Sequence, residues 1–346
     1  MLSRTYLHHD ADSPSTISEI KRIHERIKTS DFLGVYAYAT QSGVASFELE
    51  LGDYFWESTP SRWLFGIDYG RTQPQALRYL CNQKKSEIRI YDGDWVVNQK
   101  GFVPRRDFHA KMALMLNHDD NWFGMVVGSG NFSSNGLRKS IEAGTSLYTH
   151  GCIDKGYKHF HLGKTILRAE SLWQAATPVA DILNEYEEKW NASFSRKVFG
   201  NQLRDDVHYG EKEIFWIEAG YVTKNRGPNR PGNQIDFPRG MSRYFGFNPP
   251  AELQPNSVIG NVIFQTPSGS DSKNLRLGNN MMEKITLPIP ETHGFDIYDG
   301  KILVFQRSGE HFILRALEAD DFETAFGDRL SEVRVMGSGR RYGHIS

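Results

Sequence analysis

The sequence predicts two domains of different class, an α/β domain built on a mixed sheet followed by a mainly-β domain of small-barrel type. Three observations carry that expectation. Ile17, Ile20, Ile23 and Ile27 repeat at helical spacing and lead into short apolar runs that alternate with further helix. From residue 215 onward the helical period gives way to short apolar runs separated by Gly, Pro, Asn or Asp. A chain of 346 residues is long enough for two cores.

The elements follow in order. Residues 15 to 29 form a helix that Ser15 or Thr16 caps, with Glu19 placed for a capping box. Phe32 to Ala39 reads as a strand, and Gly43 to Trp56 is compatible with either helix or strand. Trp63 to Ile67 is a short buried strand running into Gly66-Ile67-Asp68-Tyr69-Gly70. Thr72-Gln73-Pro74 starts a helix through Leu80, and Glu87 to Tyr91 is the next strand. Strand, helix and strand with short links imply a crossover and a parallel pair. Met112 to Leu116 and Trp122 to Val127, joined by the polar turn Asn117 to Asn121, form a hairpin, and Ala143 to Tyr148 is another apolar segment. Glu170 to Trp190 is helical. The first domain is placed at residues 1–192, a polar linker at 193–208 and the second domain at 209–346. In the second, Phe215 to Ala219, Ser257 to Gln265, Leu275, Met282 to Leu287, Phe295 to Tyr298, Ile302 to Gln306 and His311 to Ala316 read as strands. Asp299-Gly300 is a hairpin turn, and Thr223 to Asn248 is a long polar insertion.

Composition narrows the function classes. Lys plus Arg number 41 and Asp plus Glu 42, so the chain as a whole does not advertise a polyanionic partner. Nucleic-acid binding has to rest on local clusters. One such cluster is Lys224, Arg226, Arg230, Arg239 and Arg243, where Asp236 is the only acid. No apolar run reaches membrane-span length and the first thirty residues lack a secretory pattern, so a cytoplasmic location is expected. Cys81 and Cys152 are too few for a disulfide framework or a cysteine-rich zinc site, and no His-Glu-x-x-His pattern occurs.

The chemistry concentrates in Phe108-His109-Ala110-Lys111, Gly128-Ser129-Gly130-Asn131-Phe132 and Glu142. His109 and Lys111 are two residues apart, so in extended chain both leave one face. The glycines let the backbone turn tightly beside a ligand, and Ser133-Ser134-Asn135-Gly136 opens a short helical turn. An anionic phosphodiester repels nucleophiles, so a site without metal needs fixed cations and amide donors on the phosphoryl oxygens. Lys111 and Asn131 supply them. His109 then serves as nucleophile, Glu142 orients its second ring nitrogen, and the intermediate is a phosphohistidine. A second imidazole must protonate the leaving oxygen. The chain holds one His-x-Lys of this kind, so two chains meeting about a twofold axis are expected. A lone His-x-Lys is common strand decoration, and the coupling to the glycine turn and Glu142 is what makes it a site.

Those residues resemble the signature of the phospholipase D superfamily, in which His, Lys and Asn line the phosphate site. The usual acid a few positions after the Lys is replaced here by Leu114, Met115 and Leu116. The Gly-Ser-Gly-Asn-Phe-Ser form, which puts Ser129 in the catalytic set, the single motif copy and the later sequence resemble more narrowly the BfiI-type restriction endonucleases. The resemblance is strongest over residues 102 to 148, extends to Gly339-Arg340-Arg341-Tyr342-Gly343 and is weak between. It implies an α/β mixed-sheet phospholipase D-like nuclease domain followed by a mainly-β, plant B3-type pseudobarrel. It also implies a metal-independent homodimer that cuts double-stranded DNA at a specific sequence. Some members work with a helicase-like ATPase subunit, through which ATP would enter.

In a B3-type domain two arms grip the major groove. The first falls on Thr223, Lys224, Asn225, Arg226, Asn229, Arg230, Asn233, Gln234 and Arg239, and the second on Ser272, Lys273, Asn274 and Arg276. Arg340, Arg341 and Tyr342 form a basic and aromatic tail that reads either as a DNA contact or as a solvated terminus. Arg suits guanine or phosphate, and Asn or Gln suits adenine. Two other readings stay open. A lipid phosphodiesterase would need an interfacial apolar surface or anchor and normally two motif copies. A non-catalytic DNA-binding module is motivated by the missing acid after Lys111.

Overall fold

The structure, a computed structural model, describes residues 1–151, 163–194, 212–227, 230–250, 252–336 and 338–346. It divides into two compact units, Met1–Phe194 and Ser195–Ser346. Cys152, Asn229 and residues 195–208 of the expected linker lie outside the described residues.

The first unit runs β1 (Leu2–His8), α1 (Thr16–Ile27), β2 (Asp31–Tyr36), α2 (Gln41–Leu51), α3 (Tyr54–Ser58), β3 (Ser61–Phe65), α4 (Pro74–Cys81), β4 (Ser86–Ile90), α5 (Gly93–Val96), β5 (Lys111–Asn117), β6 (Trp122–Gly128), β7 (Glu142–His150), α6 (Gly163–Ala175), β8 (Thr177–Pro178) and α7 (Val179–Phe194). Its strands make one mixed sheet in the order β1-β7-β6-β5-β2-β3-β4-β8. The expected crossover is present: β3 and β4 pair in parallel, as do β2 and β3. Helices α1, α2, α4 and α7 cover one face over a core that includes Phe32, Phe47, Trp63 and Phe132. The other face packs Leu33, Leu64, Phe108, Leu114 and Met125 against Ile166, Ala169 and Trp173 of α6.

Several elements differ from the sequence expectation, each for a local reason. Ser15 caps α1, but Ser18 closes the capping box. Glu19 is buried instead, accepting from Arg22 and Ser146 and paired with Arg4. The stretch compatible with helix or strand is helical, as α2 and α3, with Thr40 capping α2 through the Gly43 N–H. The helix expected over 170–190 is two helices. Thr177 precedes a proline, which disfavours helical backbone there, and the pair instead joins the sheet edge beside Arg89 and Ile90. Strand β1 lies where the sequence gives only exposed alternation. Tyr6 and His8 turn inward there, and the strand pairs antiparallel with β7.

The second unit runs β9 (Ile214–Glu218), β10 (Gln234–Phe237), β11 (Val258–Thr266), β12 (Gly269–Leu277), β13 (Glu283–Thr286), β14 (Ile302–Ser308), β15 (His311–Leu317), α8 (Ala319–Phe326), β16 (Leu330–Val335) and β17 (Arg341–Ile345). The sheet order is β10-β13-β12-β11-β15-β14-β9-β17-β16, with β11 and β15 parallel and the other pairs antiparallel. Phe215, Phe237, Tyr244, Phe264, Leu303 and Phe305 form its main core, and Trp216, Val304, Phe322 and Ile345 a smaller one against α8.

Three corrections bear on function. The polar insertion at 223–248 contains β10 and a buried turn with Met241, Tyr244 and Phe245, so it is a structured part of the core. Residues 295–298 are not a strand: Asp296 has φ +66° and the Tyr298 hydroxyl donates to the Pro288 carbonyl at 2.9 Å. Gly300 remains a tight turn with φ +67°, but it joins no hairpin. The basic ending is the internal strand β17, lying between β9 and β16.

His344 of β17 is 2% exposed and sits 5.7 Å, centroid to centroid, from Phe215. Burial pushes its pKa down to about 4. A depressed imidazole stabilises the folded state above the unfolded value near 6.5, and that contribution is lost as pH falls toward 4. His344 should therefore account for about 3 kcal/mol of lost stability between pH 7 and pH 4. Urea melts followed by near-ultraviolet circular dichroism should show this loss, and His344→Gln should remove that part of the pH dependence.

Candidate active site

Strand direction alone gathers the site. Tyr36 of β2 pairs with Lys111 of β5, Met112 with Val127 of β6, and Gly128 with Gly144 of β7. The start of β5, the end of β6 and the start of β7 therefore share one end of the sheet. The carboxyl ends of β2, β3 and β4 finish there too, since Tyr36 is level with Phe65 and Phe65 with Ile90. In open α/β sheets this is the end where ligands bind.

His109 lies just before β5 and is exposed, and the Lys111 ammonium donates to its carbonyl at 2.9 Å. Lys111 is half-buried, and burial lowers its pKa, with Glu142 opposing that shift and Arg71 adding to it. An ammonium so placed is available to an anion at the sheet end. Glu142 opens β7, and its carboxylate accepts the Ser129 hydroxyl. The same hydroxyl oxygen accepts the Ala143 N–H at 3.1 Å, so Ser129 staples the end of β6 to the start of β7. One oxygen of the Glu142 carboxylate is thus engaged by Ser129.

Asn131 is held by backbone crowding. A Cβ on Gly130 would lie 2.0 Å from the Gly136 carbonyl oxygen, and one on Gly136 would lie 2.5 Å from the Asn131 nitrogen. Residues Asn135–Lys139 form a single wide helical turn, and the Ser133 hydroxyl accepts the Gly136 N–H at 3.1 Å. On its other side the loop pairs with the end of β2: Thr40 N–H donates to the Phe132 carbonyl at 3.0 Å, and Ala39 bridges Phe132. Asn131 Oδ1 is buried without a hydrogen-bond donor.

The sequence reading missed the turn after β3. Asp68 is buried and its Oδ2 accepts the Phe108 N–H at 2.8 Å, one residue before His109. Burial raises the pKa of Asp68 and Asp107 adds to the rise, while the Phe108 N–H and the His109 charge oppose it. Its signal in the sequence was an acid in a glycine-bounded turn at the end of a parallel strand.

The second-unit residues separate into two groups. Arg341 is buried and ion-paired with Glu218, its Nε donating at 2.8 Å, so it serves the fold and not a ligand. Arg340 donates to the carbonyls of Ala219 and Asp236, and Asn233 is buried with its amide on the Leu287 carbonyl at 2.7 Å. Arg226 pairs with Glu291 at 2.6 Å, and Asn225 Oδ1 accepts the Asn233 N–H at 3.2 Å. Arg341 and Asn233, both buried, are thereby corrected to structural contacts, while Arg340 and Arg226 are half-buried and Asn225 is exposed. Thr223, Lys224, Arg230, Arg239, Ser272, Asn274 and Arg276 lie on the surface, Gln234 is half-buried, and Lys273 pairs with Asp271 at 2.8 Å. The expected second arm is strand β12. Its exposed face continues onto Asn261 and Gln265 of β11, which stand opposite Asn274 and Ser270. Among the described residues no group of three or more His, Cys, Asp or Glu is arranged to hold a metal ion, and no helix is long and apolar enough to cross a membrane.

No family model and no curated protein matches the chain. Several solved structures align with about half of it. NucT from Helicobacter pylori is similar at 13% identity and a TM-score of 0.33, over 51% of this chain and 98% of that one. Nuc from Salmonella typhimurium, described as a phospholipase D family member, aligns at 11% identity and a TM-score of 0.34, over 51% and 98%. A phosphatidylserine synthase from Haemophilus influenzae aligns at 10% identity and a TM-score of 0.35, over 51% and 39%.

Because the Gly130 contact is with backbone, no side-chain rotation can relieve it. Gly130→Ala should cost roughly 2–4 kcal/mol and displace Asn131. Chemical denaturation of the purified variant checks this, and a change under 1 kcal/mol would show that the close approach is not needed.

Proposed function

We propose that the chain is a sequence-specific restriction endonuclease of phospholipase D type, which hydrolyses DNA without metal in a site shared by two protomers. The observation that supports it is the convergence of His109, Lys111, Ser129, Asn131 and Glu142 on one end of a mixed sheet. A ring nitrogen of His109 attacks phosphorus and the bond to the leaving oxygen breaks. The equivalent imidazole of a second copy gives that oxygen its proton. Water then attacks the phosphohistidine, the second imidazole takes the proton, and cleavage of the P–N bond restores His109. Lys111 and Asn131 hold the non-bridging oxygens as charge develops.

An exposed apolar pair fits the shared site. Leu7 is 57% exposed and Ile141 74%, and they flank Glu142, since Leu7 is level with Ala143 and His8 with Glu142. A second copy of the chain seated there would bring two His109 side chains to one cleft. Target reading falls to the second unit, where Asn261, Gln265, Ser272, Asn274 and Arg276 share an exposed strand face with Lys224, Arg230 and Arg239 elsewhere on its surface. Some enzymes of this type act with a helicase-like ATPase subunit, so assays need ATP and any such subunit encoded alongside. The engagement of Glu142 by Ser129 favours one other reading, a DNA-binding module without catalysis.

Plasmid cleavage in excess EDTA should proceed with the wild-type chain and fall by at least roughly 10³-fold in His109→Ala. Cutting that requires a divalent ion, or that survives the substitution, removes the mechanism. The double variant Leu7→Asp, Ile141→Asp should sediment as a monomer and lose cleavage while still binding target DNA in fluorescence anisotropy. A variant that stays dimeric and active would place the interface elsewhere.

A further inference from the structure

We propose that Asp68 is a positioning residue for His109, its carboxylate holding the imidazole in a single tautomer with one ring nitrogen turned toward phosphorus. This deepens the nuclease reading and rests on His109 being its nucleophile. The usual acid after Lys111 is absent, and one oxygen of the Glu142 carboxylate is already engaged by Ser129.

Geometry singles out Asp68. It is 7% exposed, at the end of the sheet where the other groups converge. One carboxylate oxygen fixes the backbone immediately before His109 through the Phe108 N–H at 2.8 Å. The other, Oδ1, is buried with no hydrogen-bond donor among the described residues. A buried carboxylate oxygen left without a donor is costly. The imidazole of His109 stands one residue beyond the Phe108 N–H that this carboxylate already holds. Asp107 faces the same turn but accepts the Tyr69 hydroxyl at 2.9 Å, and Arg71 and Lys111 carry the opposing charge. The pull that His109 exerts on Asp68 places the two groups within electrostatic reach of each other.

The turn is also rigid enough to position something. The Thr72 hydroxyl donates to the Gly66 carbonyl at 2.5 Å, the Tyr186 hydroxyl to the Thr72 carbonyl at 2.6 Å and the Trp190 indole to the Gly70 carbonyl at 2.7 Å. Tyr69 sits at φ +56°, a conformation that only a well-braced turn imposes on a tyrosine. A carboxylate on such a support can fix an imidazole that is itself exposed.

The test uses the full chain in excess EDTA with bis(4-nitrophenyl) phosphate, comparing wild type and Asp68→Asn. The amide keeps an acceptor for the Phe108 N–H but lacks the charge. We expect kcat to fall about 100-fold with KM unchanged. In ¹⁵N spectra of the histidine rings, the His109 signals, identified by their loss in His109→Ala, should report one tautomer in the wild type and a mixture in Asp68→Asn. A folded Asp68→Asn variant with kcat within twofold of wild type and an unaltered ring signature overturns the proposal. If the variant does not fold, the wild-type spectrum decides: a ring already averaging between tautomers overturns it, and a single tautomer supports it. A wild-type chain that hydrolyses nothing even with ATP and any helicase-like subunit encoded alongside removes the nuclease reading, and the ring signature still settles whether the two residues pair.

Discussion

The site depends on strand register. His109, Lys111, Ser129 and Glu142 span 34 positions of sequence, and the antiparallel pairing of β5, β6 and β7 brings them to one sheet end. Side chains alternate between faces, so a slip of one residue in either pairing would send Lys111 or Glu142 to the opposite side. The buried residues forbid that slip. Met115 and Val126 face the α1 and α2 side, while Leu114 and Met125 face α6, and each set fits only its own layer. Gly124 adds a lock, because a Cβ there would lie 2.3 Å from Ile23 of α1. Core packing and functional geometry are therefore one constraint in this unit.

The sequence carried the parts of the fold whose signal is local. The isoleucine period of α1, proline at the start of α4 and the apolar hairpin β5–β6 each depend on residues within a few positions, and the elements stand where those residues put them. What stayed hidden depends on distant partners. Strand β1 exists because β7 offers an edge, since five of its seven residues are exposed and no continuous burial marks a strand in sequence. The basic ending looks like a tail until Glu218, more than a hundred positions earlier, is seen to neutralise Arg341. Asp68 and Phe108 are 40 positions apart, and no period or spacing connects them. The reactive side chains were legible as residue types in a pattern, whereas their supports required the pairing.

In the second unit, charge and position have to be separated. A near-neutral chain can still hold local basic surface, but not every Arg contributes to it. Arg341 is inside, and removing Glu218 would leave its guanidinium buried without a counter-charge, a far larger cost than losing a surface pair. Arg276, exposed on the outward face of β12, has no such duty. The alternation along that strand separates the roles: Leu275 and Leu277 pack inward, and Ser272, Asn274 and Arg276 point out. Base readers need side chains that stand off a rigid support, and a paired strand supplies it better than a loop.

The proposed phosphate site takes one imidazole, His109, from each chain, so its chemistry is tied to assembly. Burial already works against the charge on Lys111, and Glu142 is what opposes that pressure. Seating a second copy over Leu7 and Ile141 would remove more water from the same corner, strengthening every charge interaction there while raising the cost of an unpaired ammonium. An anionic phosphodiester resolves that tension by pairing with the cation as it enters, and an empty closed cleft does not. In the proposed dimer the same residues would therefore favour closing around an anionic phosphodiester over closing on nothing.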